Sequence, residues 1–248
     1  MDYKYTGIIL GKKDVGETDR IYSIYTLETG KIRVLAKSVR KANAKLAGFL
    51  ENFTLAEIFI AKSQGLGKIT GSLVLNNFSG INSNLEIIRN AFSSIELFSK
   101  LIKEENADPK IFELLKEYLE TMNELSAQDK EAAAKNPKAI EEKSEIISLG
   151  FLFKLFDELG YKIETGDCVE CGEKIKEGDN FFNASQGGIM CLNCSIKSGG
   201  NIKISPNAIK LLRILSKNSL KSLIKIAMDR KDISNLRLVS KEFLNWIE

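Results

Sequence analysis

Residues 168 to 194, CVECGEKIKEGDNFFNASQGGIMCLNC, hold all four cysteines of a 248-residue chain that has no histidine. They form two CxxC pairs, Cys168 with Cys171 and Cys191 with Cys194, with 19 residues between the pairs. That spacing lies in the range of four-cysteine zinc sites. Each pair can close a tight turn whose backbone N–H groups point at the sulfurs, and Gly172, directly after Cys171, eases one such turn. Four thiolates meet the closed tetrahedral coordination that zinc prefers. The intervening NFFNASQGGIMC reads as a β-hairpin turning at Gln186, Gly187 and Gly188. The expected module is therefore a zinc ribbon or knuckle pair with one structural zinc ion per chain. A redox role would want one CxxC at a helix start in a βαβ setting, which this stretch lacks. Disulfides are disfavoured in a reducing cytoplasm. With all four positions filled by protein, no site stays open for water, so the metal is expected to staple and not to catalyse.

No catalytic constellation accompanies the cysteines. The lack of histidine excludes most triads and metal-hydrolase motifs. GLGK at 65–68 lacks the length and the trailing Ser or Thr of a phosphate loop. The carboxylates of KEEN (103–106) and IEEKSEI (140–146) are expected on solvated polar helix faces. The chain is expected to be neither an enzyme nor a binder of a small-molecule substrate.

Binding chemistry is better represented. In KIRVLAK the residues alternate, so Ile32, Val34 and Ala36 face one way and Lys31, Arg33, Leu35 and Lys37 the other. The chain then enters KSVRKANAKLAG, an acid-free loop with Arg40, Lys41 and Lys45. Lys31, Arg33, Lys37, Arg40, Lys41 and Lys45 form a candidate phosphate-binding rim, for which Tyr22 and Tyr25 could offer stacking faces. Barrel packing is the plainer expectation for both tyrosines. A second basic tract runs from Lys197 to Lys231, with nine basic residues and one acid, Asp229. Within it Lys210, Arg213 and Lys217 share one helical face, and Ile209, Leu212 and Leu215 fill another. Lys221 and Lys225 beside Leu220, Leu223 and Ile224 repeat the plan. Such a helix pair suits DNA, an acidic peptide with apolar side chains, or an ordinary solvated surface.

The elements that must position these residues fall into two regions. Up to residue 80, YTGIIL, RIYSIYT, KIRVLAK, TLAEIFIA and KITGSLVL read as five short strands. LETGK makes a hairpin turn with glycine where a positive φ is wanted. Five strands in this length suit a small closed barrel of the OB type, with an SH3-like barrel as the alternative. From residue 81 the pattern is helical. SNLE (83–86) resembles a capping box. The chain's three prolines follow Asp108, Asn136 and Ser205, which places helix starts at Pro109, Pro137 and Pro206. The helix from Pro137 is expected to run to Leu159, stop at Gly160, and form the buried axis of a helical domain, because IISLGFLFKLFDEL is apolar nearly all round. LSAQDKEAAAKN before it reads as a solvated loop or frayed helix end. The expected architecture is α+β and multidomain. An N-terminal OB-type β-barrel (1–80) precedes an all-helical domain (81–248) into which the zinc module (about 166–198) is inserted.

Apolar residues make up 44% of the chain, enough for a packed core. No stretch is long and apolar enough to span a membrane, and the N-terminus lacks a signal-peptide plan, so a cytoplasmic protein is expected. The formal charge of +3 hides an asymmetry: +5 over residues 1–80, −6 over 81–165 and +4 over 166–248. Two basic ends flanking an acidic middle suggest separate modules and a polyanionic partner.

These parts together resemble the RecO family of bacterial recombination mediators. The features that carry the resemblance are TGIILGKKDVGETDRIYSIYTLETGKIRVLAKSVRK at the start, the helical middle, and the cysteine module placed inside a helical domain after a barrel. Where the family's basic loop is usually followed by a proline, this chain has Asn52. The resemblance implies a DNA-binding mediator of DNA repair and recombination after DNA damage. Such a protein binds single- and double-stranded DNA, anneals complementary strands, and with RecR helps load RecA onto strands coated by single-strand DNA-binding protein. It also implies a nucleoid-associated cytoplasmic location. The acidic, apolar-ended tail of the single-strand DNA-binding protein would be a partner for Lys210, Arg213 and Lys217. A zinc-ribbon RNA-binding or transcription-associated factor, or a protein-interaction scaffold, is the competing expectation.

Overall fold

Short runs rich in Ile, Val, Tyr and Phe, separated by glycine turns, pair readily into strands. The computed structural model describes residues 2–44, 46–62, 65–128 and 137–247. It contains five such strands at the N-terminus: β1 (Asp2–Val15), β2 (Asp19–Thr26), β3 (Gly30–Ala36), β4 (Leu55–Ala61) and β5 (Gly67–Asn76). They close into a barrel in the order β1-β2-β3-β5-β4. Every junction is antiparallel except β3 with β5, where Val34 and Leu35 pair in parallel with Gly67 and Lys68. This is the five-stranded barrel of the OB fold. β1 pairs with β2 and with β4, and its register to β2 shifts between Ile9 and Gly11, a bulge that bends the strand around the barrel. Ile9, Tyr22, Ile24, Val34, Ile58 and Ile69 fill the interior. The expected alternation in β3 holds, with Val34 and Ala36 buried and Arg33 exposed.

The turn from β2 to β3 explains one glycine. Gly30 has a φ of +80°, and a Cβ there would lie 2.3 Å from the carbonyl oxygen of Asn106. Alanine at this position meets both strain and a backbone clash. Gly30→Ala is expected to destabilise the protein by roughly 2 kcal/mol or more, measured as a lowered urea midpoint at unchanged m-value.

The helices begin where their caps dictate. α1 (Leu85–Leu101) is capped by Asn84, whose carboxamide oxygen accepts from the backbone N–H groups of Glu86 and Ile87 at 2.9 and 3.2 Å. The cap is therefore not Ser83, whose hydroxyl donates backwards to the Gly80 carbonyl at 2.8 Å. α2 (Pro109–Gln128) starts on Asp108, which accepts from Lys110 N–H at 2.8 Å. It carries the chain through the first residues of LSAQDKEAAAKN; the remainder, 129–136, lies outside the described residues. α3 (Pro137–Glu158) ends as its sequence suggests, with Gly160 beyond it and Tyr161 N–H returning to the Phe156 carbonyl at 2.8 Å.

After α3 come a three-stranded sheet and the terminal helices. The sheet is β6 (Asn180–Asn183), β7 (Gly188–Cys191) and β8 (Ile202–Ile204), in the order β7-β6-β8. The helices are α4 (Leu192–Ser195), α5 (Pro206–Lys217), α6 (Leu220–Leu223) and α7 (Arg230–Ile247). α3 is the axis: Ile147, Phe151, Leu155 and Phe156 are buried, and α5, α6 and α7 pack on it. Arg230 and Arg237 of α7 reach Glu141, Glu142 and Glu145 of α3, which accounts for the acids of IEEKSEI.

The chain divides into two compact units. One is Met1–Ser83 with Ala91–Asn123, and the other is Asn84–Asn90 with Glu124–Glu248. α1 and α2 each contribute to both. Among the described residues no helix is long and apolar enough to cross a membrane.

Candidate metal centre and nucleic-acid interface

The sheet and the turns around it converge the four thiols. Cys168 opens a turn in which its carbonyl accepts from Gly172 N–H at 2.9 Å, and Gly172 has a φ of +73°. Cys191 ends β7 and precedes α4, which carries Cys194. The hairpin turns at 184–187 as its glycines suggest, with Asn183 opposite Gly188. All four sulfurs lie within 4.8 Å of one another, and Cys171 Sγ is 4.0 Å from Cys191 Sγ. Cys168 is buried and Cys171 is exposed.

The electrostatics of this cluster call for a cation. Burial works to raise the Cys168 thiol, but the backbone N–H groups of Cys171, Cys191 and Glu170 outweigh it and hold it down to about 6. Cys194 is pushed up to about 12, first by its hydrogen bond with Cys191 and then by burial. Cys168 thus ionises easily, while Cys171 and Cys194 are held up through hydrogen bonds with neighbouring thiols and by burial. A positive ion at the centre offsets those effects, because a nearby opposite charge favours the ionised form. The cluster can hold one metal ion.

The barrel treats its six candidate cations differently. Lys31 is half-buried and donates from Nζ to the Ser99 carbonyl at 2.6 Å, and burial holds its ammonium below the usual lysine range. Arg33 is exposed and pairs with Glu104 at 2.9 Å. Arg40 lies 3.3 Å from Asp14, which also binds Arg20. Lys37 and Lys41 are exposed and form no ion pair among the described residues, while Lys45 lies outside them. The loop that presents Lys37 and Lys41 is latched by Asp19, which accepts from Ser38 N–H at 2.7 Å. That bond, followed by the hydrogen bond from Thr18, holds the Asp19 carboxyl below the usual range against its partial burial. The run Gly-Glu-Thr-Asp-Arg thus fixes the start of the basic loop.

Tyr22 and Tyr25 offer no stacking faces. Tyr22 is part of the barrel interior, and Tyr25 packs against Phe98 and Phe112. Two tyrosines of β1 are more open, Tyr3 exposed and Tyr5 partly buried. Tyr3 and Tyr5 lie two residues apart on one face of the strand, with ring centres 6.4 Å apart and planes 24° from parallel. Lys62 Nζ sits 4.5 Å above the Tyr3 ring. Tyr5, Arg33 and Lys62 line a groove of about 380 Å³. The alternation in DYKY was the available signal for this pair.

In the second unit Ile209 and Leu215 are core residues that offer no open apolar face, and Leu212 is buried where it lines a cavity. Lys210 turns to Glu177 at 3.0 Å. Arg213 and Lys217 line a separate cavity of about 350 Å³ with Phe153, Lys162, Ile163 and Leu212. Arg213 donates to the Thr165 carbonyl in its wall. Lys221 pairs with Glu124 at 2.9 Å, and its helix is one turn long.

Two family descriptions match the chain: "Recombination protein O N terminal" over residues 1–78 and "Recombination protein O C terminal" over residues 138–246. A "DNA repair protein RecO" from Dehalococcoides mccartyi is 33% identical over 246 residues, covering 99% of this chain and 90% of that protein. Proteins of the same name from Bacillus pumilus and Bacillus subtilis are 30% and 28% identical, each covering 99% of this chain and 94% of theirs. The chain belongs to the RecO family. The N-terminal RecO match spans the whole barrel, and the C-terminal RecO match contains all four cysteines and the Arg213 cavity. KEEN, which the sequence suggested was helical, is the non-helical link between α1 and α2, and its Glu104 is the partner of Arg33. That placement could not be read from the chain, because the pairing spans 71 positions.

Proposed function

We propose that this RecO-family protein is a DNA-binding recombination mediator in DNA repair and not an enzyme. In this reading residues 1–80 bind DNA and residues 81–248 form the partner-binding domain with its inserted metal module. The protein holds single- and double-stranded DNA, anneals complementary strands, and with RecR helps load RecA onto DNA coated by single-strand DNA-binding protein in the bacterial cytoplasm, at the nucleoid. The observation that carries the reading is the OB barrel, which presents Lys37 and Lys41, without an ion pair among the described residues, on a loop latched at Asp19, and which also has a groove lined by Tyr5, Arg33 and Lys62. A cationic groove with aromatic faces is how such barrels take single strands without regard to sequence.

The ion proposed for the four thiols is zinc. A zinc–sulfur bond of about 2.3 Å sets tetrahedral sulfurs roughly 3.8 Å apart, and the 4.0 Å between Cys171 and Cys191 is close to that. When bound, the ion would cross-link the turn at 168–172 to the end of β7 and the start of α4.

Titration of labelled single strands over a salt series tests the DNA reading. Engagement of about four to six phosphates gives a log–log slope of roughly −3 to −4. Replacing Lys37 and Lys41 together by alanine is expected to make the slope shallower by about 1.4, and replacing the paired Arg40 by less than one lysine's share. A slope near zero, with no acceleration of annealing between complementary oligonucleotides, would instead favour an RNA-binding factor or a scaffold.

A further inference from the structure

The link between α1 and α2 lies along the barrel groove. Glu105 N–H donates to the Lys31 carbonyl at 3.0 Å, and Glu104 pairs with Lys31 as an isolated parallel bridge, so the link adds a short stretch of strand beside β3. This placement aims the Glu104 carboxylate at Arg33 Nε, 2.9 Å away. Both side chains stay about half exposed, at 53% and 56%. Glu105 also faces the groove. Tyr5, partly buried against the barrel core, and Lys62 line the same groove, and Tyr3, 38% exposed, stacks beside Tyr5. Two acids, three cations and an aromatic ring therefore line one groove.

We propose that Glu104 and the Tyr3–Tyr5 pair together make this groove selective for single strands over duplex. The inference rests on the DNA-binding reading above and deepens it. A single strand is flexible and its bases are free, so it can stack bases on the two tyrosines while presenting one phosphate to Arg33. The exposed Arg33–Glu104 pair is weakly held, and Arg33 can exchange the carboxylate for that phosphate. A duplex hides its base faces and so gains nothing from the tyrosines. It also brings one charge for about every 1.7 Å of its axis, and those phosphates cannot turn away from Glu104 and Glu105. The acids thus weaken the wrong substrate more than the right one, which is how specificity is commonly built. Lys31 also lines the groove, but its ammonium is held by the Ser99 carbonyl in the last turn of α1, which leaves Arg33 the more exchangeable of the two.

The test uses the full-length protein, an oligothymidine strand and a blunt duplex of equal length, each over a salt series. In Glu104→Gln the duplex affinity is expected to rise about fivefold or more. Its salt slope should steepen by about 0.9, one B-DNA phosphate contact, while single-strand affinity changes less than about twofold. In Tyr3→Leu, at an exposed site where the fold is not at stake, single-strand affinity is expected to fall roughly 5- to 150-fold, the loss of one stacked base, with duplex affinity unchanged. Equal changes for both DNA forms in either variant overturn the selectivity and leave the DNA-binding reading standing. Failure of every variant, and of the unaltered protein, to bind a single strand overturns both.

Discussion

Serine at Cys171, the exposed thiol of the four, is expected to cost the protein as much stability as serine at the buried Cys168. If the thiols only packed against one another, the two sites would behave differently. Surface substitutions ordinarily stay within about 0.5 kcal/mol, whereas a buried polar replacement costs more. A shared metal removes that difference, since each sulfur is one of four bonds and the ion's binding free energy is part of the folding free energy. Loss of either ligand is expected to destabilise by roughly 3 kcal/mol or more, which for a chain of this size lowers the thermal midpoint by about 6–12 °C. The loss should concentrate in β6, β7 and β8, whose hairpin and turns a bound ion would tie together. Calorimetry and metal analysis on the unaltered protein and both variants decide the matter. One zinc per unaltered chain and near-equal losses are the expected result. Less than half a zinc per chain, or a harmless Cys171→Ser, would refute a structural metal.

Arg213→Glu is expected to weaken binding of an acidic, apolar-ended peptide by roughly 30-fold or more while leaving single-strand binding at the barrel unchanged. The peptide stands for the tail of the single-strand DNA-binding protein in the function proposed here. Its carboxylates need cations, and its end needs an apolar floor. Arg213, Lys217 and Lys162 supply the first around the cavity, and Phe153, Ile163 and Leu212 supply the second. Arg213 is the most constrained of the three cations because the Thr165 carbonyl orients its guanidinium. Reversal therefore replaces a positioned donor with a charge that repels the ligand. Lys217→Glu, at an exposed site without an ion pair among the described residues, should cost less and act mainly on the association rate and its salt dependence. Paired titrations with peptide and with naked DNA read both variants. Equal losses for peptide and DNA would place the cavity on the DNA path, and no loss for either would make α5 an ordinary surface helix.

The features legible along the chain were those decided within a few residues. Asp108 and Ser205 before proline mark helix starts because one side-chain oxygen can reach N–H groups two or three residues on. The alternation in β3 separates Val34 from Arg33 because successive side chains in a strand point to opposite faces. The spacing of the cysteine pairs implied one cluster because each CxxC turn is local and the hairpin between them returns the chain to its start. Ser83 was a near miss of the same kind. It and Asn84 are both good caps, and only the backward bond of Ser83 to Gly80 separates them.

The availability of a charged or aromatic side chain is a different kind of property, set by partners far away in the chain. Lys31, Arg33 and Arg40 looked alike as a basic rim, yet Ser99, Glu104 and Asp14 take them up to different degrees. Tyr22 and Tyr25 could have stacked or packed, and closure of the barrel and the packing of Phe98 and Phe112 bury them as the plainer expectation had it, while Tyr3 stays exposed beside the partly buried Tyr5. Leu212 looked like one apolar face among several, and it floors a cavity only because α3 and the 162–166 stretch fold over α5. Local patterns along the chain thus settle the strands, the helix starts at the three prolines, the four-thiol cluster and the family. The tertiary structure alone decided which cations remain free to meet a phosphate or a carboxylate, because ion pairing and burial are settled by through-space neighbours that no local pattern encodes.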